Sequence, residues 1–362
     1  MLTILNIAYP LARVGPDAVG GAEQILTMLD AAIVQARHRS LVVACEGSRV
    51  AGELVAVPSR HRSLDAAAVE AARAHHRRAI GNVLRRTRVD VVHMHGVDFD
   101  SYLPPEGVPV LATLHCPAEW YTAAALAPAR SGTYLNAVSR DQHRRLAPNA
   151  ALIEPIENGV PTGAFAQAYR RRAFALMLSR IAPEKGIHVA LEAARAADVP
   201  LLVAGELFPY PEHRRYFASQ VGPLLDREHR WIGPVGLAAK RRLLGSARCV
   251  VVCSEVQETS SLAAREAMAA GTPVVALGGG ALAEIIEDGR TGFLVEDAAQ
   301  LPLALQQVGT LDPDACRRTA RERCDAATMT RKYIKVYKRL ARRERAALPM
   351  TLAMTLGTTG AG

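Results

Sequence analysis

Glu258 and Glu266 stand eight positions apart, joined by Thr259-Ser260-Ser261-Leu262-Ala263-Ala264-Arg265. The three hydroxyl residues suit a helix start as capping side chains, and Leu262 to Ala270 are strong helix formers. Gly271-Thr272-Pro273 stops that helix, and Val274-Val275-Ala276 opens a strand. At about 100° per residue, side chains eight positions apart differ by about 80°, so the two carboxylates face neighbouring sides of one cleft. The free N–H groups and positive dipole end of a helix start suit a phosphate. Carboxylates that accept sugar and ribose hydroxyls beside a phosphate-binding helix start make a site for a nucleotide sugar.

Other residues fit the same chemistry. Arg180 ends an apolar run, and Lys185 follows in a loop containing Pro183. A planar fork and a mobile point charge suit a diphosphate whose charge grows as its bond to a sugar breaks. In isolation such a pair is a solvated loop pair. Gly20 and Gly21 precede a helix-like run, where glycine lets backbone approach a phosphate or an acceptor. Alone they are an ordinary strand–helix turn, and Gly279 and Gly280 read the same way, as an acceptor-side or secondary loop. His93 and His95 alternate along a strand and so face one side. His95, nearer the strand end, is the site candidate, and His93 is a core residue. His115 ends Val110-Leu111-Ala112-Thr113-Leu114-His115 and is balanced between a ligand for a sugar or phosphate oxygen and a packed core histidine. Asp98-Phe99-Asp100 has the form of a metal-holding D-x-D but follows a strand of the first sheet, and no metal role is assigned to it.

These side chains need elements to position them. Short apolar runs at Leu2–Ala8, Ser40–Ala44, Val89–Met94, Val108–Leu114 and Leu135–Val138 read as strands. The pattern restarts with Phe174–Ser179, Leu201–Ala204, Cys249–Cys253 and Val274–Ala276. Helix-like runs lie between them, including Gln24–Ala36, Ser63–Thr87, Val189–Ala196 and Leu237–Leu244. Strand–helix alternation twice over implies an α/β protein of two Rossmann-like doubly wound parallel sheets. Ligands of such sheets bind beyond the carboxyl ends of the strands, which face each other across a central cleft. The expected divisions are 1–165, 166–325, a C-terminal helix over 326–345 and a disordered tail over 346–362, with the linker near Pro161–Ala168.

Composition narrows the class. A chain of 362 residues, 49% of them hydrophobic, is long enough for two cores. The net charge of +9 favours anionic partners only weakly. The helix bearing Arg73, Arg77, Arg78, Arg85 and Arg86 reads as a solvated face in preference to a membrane contact. No motif supports nucleic-acid binding. The six cysteines lack zinc-site spacing and read as reduced structural thiols of a cytoplasmic protein. The first residues read as a buried strand rather than a leader, and no run reads as a spanning helix.

Taken in order, the motifs resemble those of retaining glycosyltransferases of family 4, which have the GT-B fold and an E-x7-E signature. The matching pieces are Gly20-Gly21-Ala22-Glu23, Asn158-Gly159-Val160, Arg180 with Lys185-Gly186, Glu258 with Glu266, and Gly279-Gly280 with Asp288-Gly289-Arg290-Thr291-Gly292. They span roughly residues 1 to 340. The resemblance implies donor binding by the C-terminal domain and acceptor binding by the N-terminal one, without a metal or other cofactor. It puts Arg180 and Lys185 on the diphosphate, Glu266 on the ribose, and Glu258 and His115 by the donor sugar. It also adds Gly20, Gly21 and Gly233 to the donor site, with His95 on the acceptor side. Ser260-Ser261 replaces the family's Phe-Gly, and the amides of Ser260, Ser261 and Leu262 remain candidates for the phosphate or sugar. The expected partners are a nucleotide-sugar donor such as a UDP-sugar and a hydroxyl-bearing small molecule, glycan or lipid. A high-GC-like composition suggests an antibiotic oligosaccharide or cell-envelope glycan as acceptor. The rivals are a nucleotide-sugar epimerase of the same fold and a non-catalytic nucleotide-sugar-binding protein. A nicotinamide dehydrogenase is rejected because no G-x-G-x-x-G follows the first strand.

Overall fold

Mostly apolar runs form the strands of two parallel sheets in the computed structural model, which describes residues 1–58 and 65–356. The first sheet holds β1 (Thr3–Ile7), β2 (Arg39–Cys45), β3 (Glu53–Val57), β4 (Val91–Met94), β5 (Val110–Leu114) and β6 (Thr133–Ala137). The second holds β7 (Ala175–Leu178), β8 (Leu201–Ala204), β9 (His229–Trp231), β10 (Cys249–Val252), β11 (Val274–Leu277) and β12 (Gly292–Val295). Their orders are β3-β2-β1-β4-β5-β6 and β9-β8-β7-β10-β11-β12, the same doubly wound topology twice. The α/β, two-sheet expectation is met. Central strands such as β4, β5 and β10 are buried at every position, because helices cover both faces of each sheet.

Three strands were not legible as strands. β3 is an edge strand whose Glu53, Leu54 and Ala56 are exposed. β9 is three residues long and carries His229 and Arg230. β12 begins at Gly292, a residue type that weakens a strand reading. In contrast, the helix expected over Ser63–Thr87 is found at Ala66–Arg86, and 59–64 lie outside the described residues.

The chain passes between the two sheets twice, at one place. Val160 N–H donates to Cys324 O at 2.8 Å, and Ala326 N–H donates to Val160 O at 2.9 Å. Thr162 Oγ1 donates to Asp325 Oδ1 at 3.1 Å. A Cβ on Gly159 would sit 2.8 Å from the Ala326 backbone, so the two crossings approach only because residue 159 is glycine. Beyond the second crossing, the helix Ala326–Leu356 packs on the first sheet. Met329, Tyr333, Tyr337 and Leu340 bury themselves against Ile4, Ile25, Leu29 and Ile33. The helix runs past the expected end at 345, to Leu356. Only residues 357–362 of the expected tail lie outside the described residues.

Candidate active site

The carboxyl ends of β7 and β10 carry the first cationic group. Arg180 follows β7, and its Nη2 donates to Glu184 Oε1 at 3.1 Å. Lys185 closes the short turn Pro183–Lys185, and Gly186 ends it with φ of 58°. A Cβ at residue 186 would lie 2.0 Å from Cys253 O, so only glycine lets this turn seat against the end of β10. That seating brings Lys185 Nζ to 2.6 Å from Glu258 Oε1, with Ser254 Oγ donating to the same oxygen. Burial pushes the Glu258 carboxyl up, but the Lys185 charge and hydrogen bond with Ser254 outweigh it and hold the pKa below the ordinary value.

Glu266 has a lysine of its own. Lys240 Nζ lies 2.5 Å from Glu266 Oε1 and 3.3 Å from Gln24 Oε1 of the facing domain. Here burial prevails over Lys240, and the Glu266 carboxyl is raised. One cavity is lined by Asp17, Gln24, Arg180, Gly205, Lys240 and Glu266 among others. It brings together Arg180 and Glu266, as well as two residues that sequence reasoning missed, Lys240 and Gln24. Lys240 opens Lys240-Arg241-Arg242 on a helix correctly read from sequence, but nothing in its spacing marked it. Glu23 was quoted only as part of a motif. It is a buried carboxylate whose pKa burial raises against the pull of Arg180.

The expected side-chain cap at residues 259–261 is corrected. The helix runs Leu262–Ala269, and its first flanking residue, Ser261, makes no capping bond. Ser261 adopts φ of 48° and ψ of 80°, the left-handed backbone that glycine takes freely. Thr259 Oγ1 instead donates across the cleft to His115 O at 2.9 Å, and Ser260 Oγ is buried without a partner among the described residues. The amides of Ser260, Ser261 and Leu262 donate to no protein acceptor among the described residues. They share a helix start with the two carboxylates.

The N-terminal domain meets this helix start directly. Gly21 begins the helix Gly21–Gln35, and a Cβ on it would lie 3.5 Å from Leu262 Cδ1. Gly20 precedes it, where a Cβ would lie 1.8 Å from Glu23 Oε2. His95 Nδ1 is 3.1 Å from His115 Nε2, and burial pushes the His115 pKa down to about 3. Gly279 and Gly280 lie behind Glu258: Gly280 bridges it, and Ala281 N–H donates to its carbonyl at 2.8 Å. Gly233 precedes the cavity-lining Pro234, and its carbonyl accepts from Gly205 N at 3.0 Å. Asp98 accepts from Arg73 and Tyr102, and Asp100 accepts from Thr122. No group of three His, Cys, Asp or Glu side chains placed to hold a metal occurs among the described residues.

Two doubly wound sheets whose strand ends face across such a cleft define the GT-B fold. Residues 165–320 match the family model described as glycosyl transferases group 1. Two solved structures share the fold over nearly the whole chain. AviGT4, described as a glycosyltransferase involved in avilamycin A biosynthesis, is 23% identical with a TM-score of 0.70, over 94% of this chain and 98% of that one. Anabaena HepE in complex with UDP and glucose is 18% identical with a TM-score of 0.70, over 93% of this chain and 100% of that one. Among curated proteins, alpha-maltose-1-phosphate synthase of Mycolicibacterium smegmatis is 33% identical over 168 residues, 42% of this chain and 43% of the relative. Phosphatidyl-myo-inositol mannosyltransferase of Mycobacterium leprae is 30% identical over 171 residues, 44% of each. The alignments therefore span less than half the length of these curated relatives.

Gly186→Ala is expected to cost on the order of 3 kcal/mol, because left-handed strain and a backbone clash coincide. Urea unfolding reads it, and an unchanged midpoint would show that the Lys185 turn relaxes freely. Acid is expected to destabilise the fold. Burial lowers the pKa of His93, His95 and His115 below 6.5, and that of His76 to about 4. The unfolded chain then binds protons that the native state refuses, so stability falls as pH drops below 6.5. The slope is about 1.4 kcal/mol per pH unit for each such histidine. A Tm that stays flat from pH 7 to pH 5 would show that these rings accept protons in place.

Proposed function

We propose that this protein is a retaining glycosyltransferase that moves a sugar from a nucleoside diphosphate donor, with UDP-sugars as the first candidates, to a hydroxyl acceptor. The observation that carries this reading is the pairing of Glu258 with Lys185 and of Glu266 with Lys240 beside Arg180 and a free helix start. Glu266 is buried and Glu258 mostly so, and each is partnered by a lysine that a phosphate could also engage. In this reading Glu266 accepts the ribose hydroxyls, while Arg180, Lys185 and the amides of Ser260 to Leu262 hold the diphosphate. Their charge counts most as the glycosidic bond breaks and negative charge builds on the leaving phosphate. The acceptor attacks on the face the diphosphate leaves, and the leaving phosphate takes its proton.

The left-handed Ser261 supports a functional role for this turn. Its backbone keeps the geometry of the glycine that the family resemblance leads one to expect, at a strain of about 1–2 kcal/mol. The cost of that conformation favours a site under functional demand. The acceptor is proposed to be an antibiotic oligosaccharide or cell-envelope glycan met in the cytoplasm, in line with the names of the structural and curated relatives.

Calorimetric titration of UDP tests the donor site. Glu266→Gln is expected to weaken UDP by about 1–3 kcal/mol, the scale of charged hydrogen bonds. An unchanged Kd with the fold intact removes Glu266 from the ribose. Turnover of UDP-glucose is expected to persist in excess chelator, because Arg180, Lys185 and the helix start supply the positive charge. Loss with chelator and recovery with Mg²⁺ would reassign that role to a metal.

A further inference from the structure

Beneath the cleft histidine lies a buried chain of polar groups that the donor-site reading does not use. One end of it is oriented by a backbone amide shared between Asn136 Oδ1 and Ala137 O. Ile156 N–H can only donate, and it points at Asn136 Oδ1 at 2.9 Å. That orients the Asn136 amide, so Nδ2 donates to Tyr333 Oη at 2.9 Å. Tyr333 Oη shares a hydrogen bond with Thr113 Oγ1 at 3.2 Å. Thr113 Oγ1 in turn shares one with His93 Nε2 at 2.7 Å. His93 is neutral, because burial holds it well below the ordinary value. His93 Nδ1 meets Tyr337 Oη at 2.7 Å, so a single neutral tautomer has a partner at each ring nitrogen. Tyr337, and Thr113 held by Tyr333, therefore fix at both nitrogens a histidine with no solvent exposure.

The next step is packing. The His93 and His95 rings lie 4.0 Å apart between centroids. His95 Nδ1 meets His115 Nε2 at 3.1 Å, while His95 Nε2 is buried with no partner among the described residues. Were the His95 proton on Nε2, a buried donor would be orphaned. A lone pair left unpaired is the cheaper fault. His95 thus donates from Nδ1, His115 accepts at Nε2, and the neutral His115 bears its proton on Nδ1.

We propose that Tyr333, Tyr337 and Thr113 are positioning residues for His115. They lock His93, His93 packs against His95, and His95 holds His115 as the single Nδ1–H tautomer, a hydrogen-bond donor for a substrate oxygen. The tautomer stands on the hydrogen-bond geometry and on the neutrality that burial imposes; the substrate oxygen rests on the donor-site reading above.

The test is a long-range ¹H–¹⁵N spectrum of histidine-labelled protein, read beside UDP-glucose turnover. The parent is expected to show His93 as a single tautomer and His115 as the Nδ1–H tautomer. In Tyr337→Phe and Thr113→Val, the His115 signals move toward a tautomer mixture. The kcat falls about tenfold, the scale of one misplaced hydrogen bond, while the Kd for UDP stays within about twofold. Thr113→Ser, which restores the hydroxyl, recovers both. Where Tyr337→Phe does not fold, the isosteric Val and hydroxyl-bearing Ser variants of Thr113 carry the comparison. An Nε2–H tautomer of His115 in the parent overturns the proposal, as do His115 signals that stay unmoved in the variants while Tm alone drops. The spectra decide the tautomer relay without turnover. A parent that neither binds UDP nor consumes UDP-glucose overturns the functional reading instead.

Discussion

Parallel strands force every crossover to return by the same end, and that constraint organises the whole molecule. All the loops that follow strands gather at one edge of each sheet. In both sheets the order reverses between the first and fourth strands of the unit, at β1–β4 and at β7–β10. The side chains with chemistry sit at these two reversals. His95 follows β4, Arg180 follows β7, and Ser254 and Glu258 follow β10. The cleft is where two such edges face each other, so its composition is set by what the reversals present.

The facing edges are joined by polar contacts made reciprocally. Asp17 of the first domain accepts from the Leu237 amide at the start of a helix in the second, at 3.0 Å. Glu284 of the second accepts from the Asp141 amide near the start of a helix in the first, at 2.5 Å. Each domain thus supplies a carboxylate to the positive end of the other's helix. Thr259 and His115 add a third link beside Glu258. These contacts, with Leu262 packed against the core of the first domain, hold the cleft walls in register.

Much of this was legible in the sequence, for physical reasons. Buried parallel strands read as continuous apolar runs, so the central strands and the two-sheet plan stood out. The glycines at 20 and 21 announced close approach, and they are found where a Cβ would crowd or contact a neighbour, as is Gly186, which was read only as part of a motif. The Glu258–Glu266 spacing located the helix start, but the lysine partner of Glu266 was hidden. Lys240 comes from a different helix, and proximity between helices leaves no mark in spacing. The hydroxyls of residues 259 to 261 suggested capping by propensity. The cross-domain bond of Thr259 and the left-handed turn at Ser261 override that preference. The edge strand β3 escaped because an exposed strand does not need the apolar pattern that betrays a buried one.

The close approach of the two crossings at Val160 and Ala326 has a consequence for how such a protein changes over time. Because the C-terminal helix docks on the first sheet, both ends of the described chain belong to the first domain. The second domain is then an insertion whose entry and exit lie side by side, and which bears its own sheet and cores. A module with adjacent ends is replaceable without lengthening or straining its host. Recombination at these two points would exchange the entire second domain while the first domain and its C-terminal helix stayed intact, so the two halves of the cleft are free to diversify as separate hereditary units.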